Sequence, residues 1–387
     1  MSDLVIRNIG TIAGGAVDAP IVAGDTIVVR DGLIASVGDE ASADGSYIAA
    51  VIDAAGATVM PGLCDNHTHP VLGDFTPRQL QVDFIDSYLH GGVTTMLSAG
   101  EPHTPGRPTD PVGVKALAIL ARKAFANLRP SGVKVHAGAV LLEDGLTQAD
   151  FEEMAAAGVT LVGEIGISGV KDADVAAEMT RWAQACGMRV MVHTGGASIP
   201  GSGIIGAEFV VKVAPDVAGH TNGGPTALPL SDVERILEET DARIEIVHNG
   251  NVKAAGDVAA LVDRRGELSR LVVGTDSPAG SGVQPLGMLR TVSWIASLGG
   301  VDPAQAVAAA TGNVAALHGL NVGVVEAGRE ADLLVVDAPL GSQAADALGA
   351  LAIGDTLAVA SAIIDGQPRF TKSRNTPPAT RPIAFSI

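Results

Sequence analysis

Eight short runs rich in β-branched and apolar residues, amphipathic segments between them, and strand-like text at both ends of the chain predict an α/β protein. The predicted architecture is a closed (β/α)8 TIM-type barrel over residues 61–321. A small β-sandwich built from residues 1–60 and 322–387 completes it. Eight parallel strands close such a ring; a doubly wound open sheet, the competing arrangement, seldom needs eight similar units. At 387 residues the chain has room for one large domain and one small one.

The first sixty residues alternate strand-like runs with turns: LVIRNIG, TIVVRDGLIASVG and YIAAVIDAAGATVMPG. RDG between TIVV and LIASVG predicts a hairpin, because Gly accepts the positive φ such turns need. Similar text returns in EADLLVVDAP and AVASAIIDGQPRFT, and neither end alone is long enough for a good core. The first barrel strand is expected in the apolar run ATVMPGL that leads into His67. The other seven are GVTTMLSAG, GVKVHAGAV, GVTLVGEIG, MRVMVHTGG, DVAGHTNGG, ARIEIVHNG and RLVVGTDSP. Between them, TQADFEEMAAAG, DADVAAEMTRWAQACG and LSDVERILEETD repeat apolar residues at spacings of three and four, as half-buried helices do. The Pro-rich tail TKSRNTPPATRPIAFSI predicts an extended arm suited to covering a neighbour.

The net charge of −18 repels phosphate backbones, which excludes nucleic acid as an expected partner. No stretch reaches the ~20 uninterrupted strongly apolar residues of a membrane span, and MSDLVIRNIG lacks a charged-then-apolar signal pattern. Cys64 and Cys186, each in or beside apolar text, form neither a disulfide framework nor a CxxC zinc ribbon. A reducing cytoplasm is the expected location.

In such a barrel the chemistry sits at the C-terminal ends of the strands. Reading only those positions gives His67, His69, Glu164, His193, His220 and Asp276. His67 and His69 are two residues apart, so in an extended chain their side chains point the same way. A lone strand-end His is more often a satisfied polar loop residue than a ligand, Glu164 reads alone as the partner of a nearby Lys, and Asp276 in TDSP as a turn or helix cap. Six such accidents on one rim are improbable. Imidazoles mixed with carboxylates suit zinc, iron or manganese. Four imidazoles and two carboxylates exceed one tetrahedral ion and fit two, with Glu164 shared. His90, His136 and His318 fall within helix or strand text and are read as structural, and Cys64 as packing. SPAGSGVQPLG resembles a phosphate-cradling loop but lacks the Lys-Ser/Thr of a P-loop; it is read as the last barrel loop beside the pocket.

PGLCDNHTHP, the strand-ending Glu164, His193, His220 and Asp276, and then ATGNVAALHGL and GVVEAGREADLLVVD resemble the amidohydrolase superfamily of metal-dependent hydrolases over essentially the whole chain. The resemblance implies one ion on His67, His69 and Asp276, a second on His193 and His220, and Glu164 as the bridge where many relatives use a carboxylated lysine. It implies zinc or iron as the metals and Asp276 as the catalytic acid-base group. One-metal deaminases of the superfamily carry His-x-x-Glu after the fifth strand; HTGG here argues against that branch.

Longer strings, RQLQVDFIDSYLHGGVTTMLSAG, HTGGASIPG, HTNGGPTAL, PLGMLRTVSWIAS and TKSRNTPPA, resemble one narrower branch, of nicotinate degradation. They imply opening of a carboxylated cyclic amide, 1,4,5,6-tetrahydro-6-oxonicotinate, to 2-formylglutarate and ammonia by a homotetramer. Hydantoins, dihydropyrimidines, imidazolones and N-acyl amino acids are the alternative substrates within the superfamily. A non-catalytic scaffold is disfavoured because such relatives lose the metal ligands. A substrate carboxylate needs cations or donors in so acidic a protein. Arg78 in FTPRQ and His103 and Arg107 in EPHTPGRP are the candidates, each with a salt bridge or loop cap as its competing role. His248 in EIVHNGN is a further candidate pocket residue outside the superfamily's ligand set.

Overall fold

The computed structural model describes residues 3–38, 50–70, 78–102, 104, 106–197, 203–223, 226–278 and 282–386. Seven short strands come first: β1 (Leu4–Arg7), β2 (Thr11–Ala13), β3 (Ile21–Val22), β4 (Thr26–Arg30), β5 (Leu33–Gly38), β6 (Ala50–Asp53) and β7 (Thr58–Pro61). Eight barrel strands follow: β8 (Leu63–Thr68), β9 (Val93–Ser98), β10 (Lys134–His136), β11 (Leu161–Ile165), β12 (Arg189–His193), β13 (Val217–Gly219), β14 (Arg243–Val247) and β15 (Leu271–Gly274). β16 (Leu333–Asp337), β17 (Ala358–Ile364), β18 (Gln367–Phe370) and β19 (Ala384–Ser386) come last.

The barrel strands pair in parallel as β8–β9–β10 and as β11 through β15. Two junctions join these arcs into a ring. Val140, just past β10, bridges Val162, and Thr68 bridges Ser277 just past β15. At the second junction Asp276 N–H donates to the His67 carbonyl at 2.9 Å and His69 N–H to Ser277 at 3.0 Å. The chain is a TIM-type barrel, as its length and alternation predict.

One strand differs from expectation. The run ATVMPGL does not lead into the barrel, because β7 pairs with β2 and β16 in another sheet. The first barrel strand starts at Leu63, after Gly62. A Cβ on Gly62 would lie 2.1 Å from Thr94 Oγ1, so only glycine lets the backbone pass between the sheets at this point.

Strands from both chain ends build two further sheets, ordered β19-β6-β1-β4-β5 and β18-β17-β16-β7-β2-β3. Leu4, Ile6, Ile27 and Ile52 of the first pack against Ile12, Val59, Leu333 and Ile363 of the second. The turn predicted at RDG is present: Asp31 and Gly32 both take positive φ, 50° and 81°, and so do Asp365 and Gly366 between β17 and β18. Two consecutive positive φ values give the turn whose twist matches paired strands.

Eleven helices are described: α1 (Arg78–Leu89), α2 (Pro111–Asn127), α3 (Gln148–Ala156), α4 (Ala173–Ala185), α5 (Ala207–Val213), α6 (Leu230–Glu239), α7 (Val252–Arg264), α8 (Gly287–Ser297), α9 (Pro303–Ala309), α10 (Gly312–His318) and α11 (Ala347–Ala352). Side-chain caps from Asp110, Asp172, Asn251 and Asp302 start α2, α4, α7 and α9 by accepting otherwise orphaned N–H groups. Inside the ring Cys64, Leu97, Met191, Val217 and Val272 pack on Val314 and Leu317 of α10, which stoppers the N-terminal end. Lys134 at the start of β10 reaches Glu330, Asp332 (2.7 Å) and Asp365 (3.0 Å), pinning the barrel to the outer sheets.

The Pro-rich tail lies on its own chain. Ser373 Oγ donates to the His90 carbonyl, Asn375 Nδ2 to that of Ser87, and β19 pairs with β6. His90 itself stacks on Phe370, His136 sits within β10, and His318 ends α10.

Candidate metal centre

The six strand-end residues are all buried and converge in two groups. In the first, Asp276 Oδ1 lies 3.6 Å from His67 Nε2 and 3.2 Å from His69 Nε2. In the second, Glu164 Oε1 lies 3.0 Å from His193 Nδ1 and 2.7 Å from His220 Nε2, and these nitrogens are 2.8 Å apart. Glu164 faces both groups: Oε1 is 3.5 Å from His67 Nε2 and Oε2 is 3.9 Å from His69 Nε2. Donors sharing one tetrahedral ion at about 2.1 Å stand roughly 3.4 Å apart. The first group already has that spacing; the second is somewhat tighter.

Local backbone irregularity aims these side chains. The β8–β9 register shifts between Asp65 and Thr68, and the β11–β12 register shifts between Val162 and Ile165, around Glu164. Bulges of this kind re-aim side chains beside active sites. His220 and Asp276 take positive φ, 34° and 56°, a conformation that non-glycine residues hold only under constraint.

The rear nitrogens of the first histidine pair are fixed. His67 Nδ1 donates to Glu245 Oε2 at 2.8 Å, and His69 Nδ1 to the Gly100 carbonyl at 2.9 Å. Each ring therefore turns Nε2 inward, where a bound metal ion would take the place of a proton. His67 Nε2 is buried and makes no hydrogen bond among the described residues. A buried, aimed, unsatisfied nitrogen between two carboxylates is what a cation site requires. The donor set thus fits divalent metal ions.

Electrostatics agree with that fit. Burial alone would raise the Glu164 pKa, but the His67 charge and the hydrogen bonds from His193 and His220 hold it well below the carboxylate range. Burial likewise opposes ionisation of Asp276, yet the His69 hydrogen bond and the charges of His67 and His220 keep its pKa low. For His67 burial is outweighed by Glu245 and Glu164, which push its pKa well up. Burial, reinforced by the His220 charge, lowers that of His193. Two acids held ionised among imidazoles form a nest for positive charge.

The substrate-facing candidates divide. Arg107 Nη2 lies 2.8 Å from Glu143 and 3.3 Å from Ser168 Oγ, so its charge is already matched and ties three loops together. Arg78 opens α1, and its side chain lies outside the described residues, as does His103. The loop SPAGSGVQPLG is described only outside residues 279–281. His248 follows β14 and stacks on Trp294 at 4.9 Å between ring centres. Burial and Arg290 push its pKa down to about 4, so the ring is neutral near pH 7.

Strand-end reading passed over three residues beneath the metal layer. Asp65 accepts Thr275 Oγ1–H at 2.6 Å and Thr275 N–H at 2.8 Å, and burial pushes its pKa up to about 7. Asn66 and Glu245 hold each other at 2.6 Å. The one signal was a charged residue in the middle of the apolar run RIEIV.

Residues 58–369 match the Amidohydrolase family, and the chain belongs to that family of carbon–nitrogen hydrolases. Among curated proteins it is 53% identical to an enamidase of Eubacterium barkeri over 381 residues, 98% of this chain and 99% of that one. It is 23% identical to a dihydroorotase of Pelotomaculum thermopropionicum, covering 85% and 89% of the two chains. A solved enamidase structure superposes with a TM-score of 0.96 at 52% identity over both full chains. A putative prolidase from Bifidobacterium longum shares the fold alone, with a TM-score of 0.63 at 19% identity over 98% and 96% of the chains.

Proposed function

We propose that this chain is a two-metal hydrolase of cyclic amides, an enamidase that opens 1,4,5,6-tetrahydro-6-oxonicotinate. The observation that carries the metal reading is the single carboxylate of Glu164, within 3.9 Å of nitrogens in both groups. His67, His69 and Asp276 would hold one ion and His193 and His220 the other, with Glu164 shared and zinc or iron as the metals. Ions bound there lower the pKa of water and polarise a carbonyl. Near-full-length identity to an enamidase supports the substrate class.

The chain's own groups then move one proton. Water oxygen adds to the amide carbonyl carbon, and Asp276 accepts the proton released. Its Oδ2 lies 3.4 Å from Asn249 Nδ2, while Oδ1 is the oxygen near His67 and His69. Asp276 returns that proton to the ring nitrogen as the carbon–nitrogen bond breaks. The enamine so formed tautomerises and hydrolyses to 2-formylglutarate and ammonia. The ring carboxylate would be met by donors on the loops around Arg78, His103 and His248, and by Arg107 only in competition with Glu143. A role in nicotinate degradation, a homotetrameric state and a cytoplasmic location belong to the same proposal. Two free cysteines accord with a reducing compartment.

The deciding experiment follows ring opening of 6-oxo-tetrahydronicotinate, hydantoin and dihydrouracil by metal-loaded protein, read as chromatographic loss of each substrate. Ammonia release is a second readout for the first, and metal content is measured alongside. Turnover of the first alone, with about two ions per chain, is expected. Turnover of only the other two would retire the enamidase assignment and leave the site intact; a metal-free, inactive protein would retire both.

A further inference from the structure

Glu245 lies on β14 inside the barrel, fully buried. Both of its oxygens are taken by β8: Asn66 Nδ2 donates to Oε1 at 2.6 Å and His67 Nδ1 to Oε2 at 2.8 Å. Neighbours along a regular strand face opposite ways, so Asn66 and His67 can both reach one carboxylate only because of the bulge between Asp65 and Thr68. Oε2 also accepts the N–H of His220 at 3.0 Å, at the residue whose φ is +34°. On its far side Asn66 accepts Nε2–H of His318 at 2.7 Å, from the helix that stoppers the barrel.

We propose that Glu245 is a positioning residue for the hydrolytic centre: it locks His67 with Nε2 inward, holds the bulge that presents it, and ties that histidine to the backbone of His220. The inference rests on the two-metal reading. A carboxylate that only accepts leaves His67 one tautomer, and a donor ring unable to rotate loses little entropy on binding. His193 has no such anchor: its outward Nε2 is unpartnered among the described residues. The first metal position therefore depends on Glu245 through the ring of a ligand, the second only through the backbone N–H of His220.

The test dialyses the zinc-loaded full chain against increasing 2,6-pyridinedicarboxylate and counts zinc per chain. In Glu245→Gln one ion is expected to leave at about 10- to 100-fold lower chelator than in the parent. The other, which Glu245 reaches only through the His220 N–H, should shift far less, and the metal-free chain should keep a cooperative unfolding transition. The shift should persist in a His193→Ala background, which keeps only the first position complete. Asn66→Ser, which leaves Glu245 in place without its 2.6 Å partner, should weaken the same ion by about 3- to 10-fold, and it decides the matter if Glu245→Gln does not fold. Two ions held as in the parent, or both weakened equally, would overturn the inference. A parent chain binding no zinc would overturn the two-metal reading beneath it.

Discussion

Two clusters of acidic residues occupy opposite ends of the barrel, and only one of them is open to a metal. At the N-terminal end Glu330, Asp332 and Asp365 converge as closely as the rim residues do, but Lys134 stands among them. Burial disfavours the Lys134 ammonium, yet the charge of Asp332 and hydrogen bonds to Asp332 and Glu330 hold its pKa above the ordinary value. At the rim Glu164 and Asp276 meet imidazoles and, for Asp276, the Asn249 amide; among the described residues neither has a Lys or Arg partner, and His67 Nε2 finds no hydrogen bond. Acid density alone does not define a cation site; what distinguishes the two ends is whether a lysine ammonium stands between the carboxylates. The backbone differs too, with bulges and positive φ at the rim ligands.

The contrast breaks first at its centre. Glu164→Gln should lower kcat/KM by about 10^4-fold, since both ions lose their shared ligand, and elemental analysis should find fewer than two ions per chain. Should activity and metal content survive, the rim is not the site. Asp276→Asn should lower kcat by about 10^3-fold and remove the acid limb of the pH–rate profile, which a pH series reads directly.

The opposite end should respond in the other currency. Lys134→Met leaves the buried Asp332 without its counter-charge and should lower stability by about 3 kcal/mol in urea unfolding, with zinc content unchanged. A loss of metal there would mean that the two ends are coupled. A comparable effect, spread over a pH window, concerns His136, whose pKa burial and Arg122 push down to about 4. The folded chain leaves this ring neutral while the unfolded chain protonates it below about pH 6.5. Stability therefore falls as pH drops from about 6.5 to 4, by up to about 1.4 kcal/mol per pH unit for this group. His136→Gln should flatten that slope in unfolding curves taken across the window.

The rim was legible because polar residues terminating apolar strands stand out when every strand is read at the same end. Glu164, His193 and Asp276 are each the ionisable residue at the close of such a run. The layer beneath was not legible by that rule. Glu245 sits mid-strand between Ile244 and Ile246, and only the inward face of a closed barrel makes a charge there anything but a solvated position. Asn66 is reached through a bulge, and no period-2 reading places it on the same side as His67. The start of the barrel was displaced for a related reason: ATVMPGL is as apolar as a barrel strand, and pairing rather than composition assigns β7 to the outer sheet. Arg107 looked available in sequence because its partner Glu143 lies on a different loop.

Both outer sheets interleave strands from either side of the barrel: β6 needs β19, and β7 needs β16. During synthesis the early strands must wait, edges unpaired, while the ribosome translates the entire ring. Contacts of such sequence separation form slowly, and waiting edges invite pairing with other chains. The nascent protein should therefore be most vulnerable to aggregation, and most dependent on chaperones, in the interval before β16 emerges.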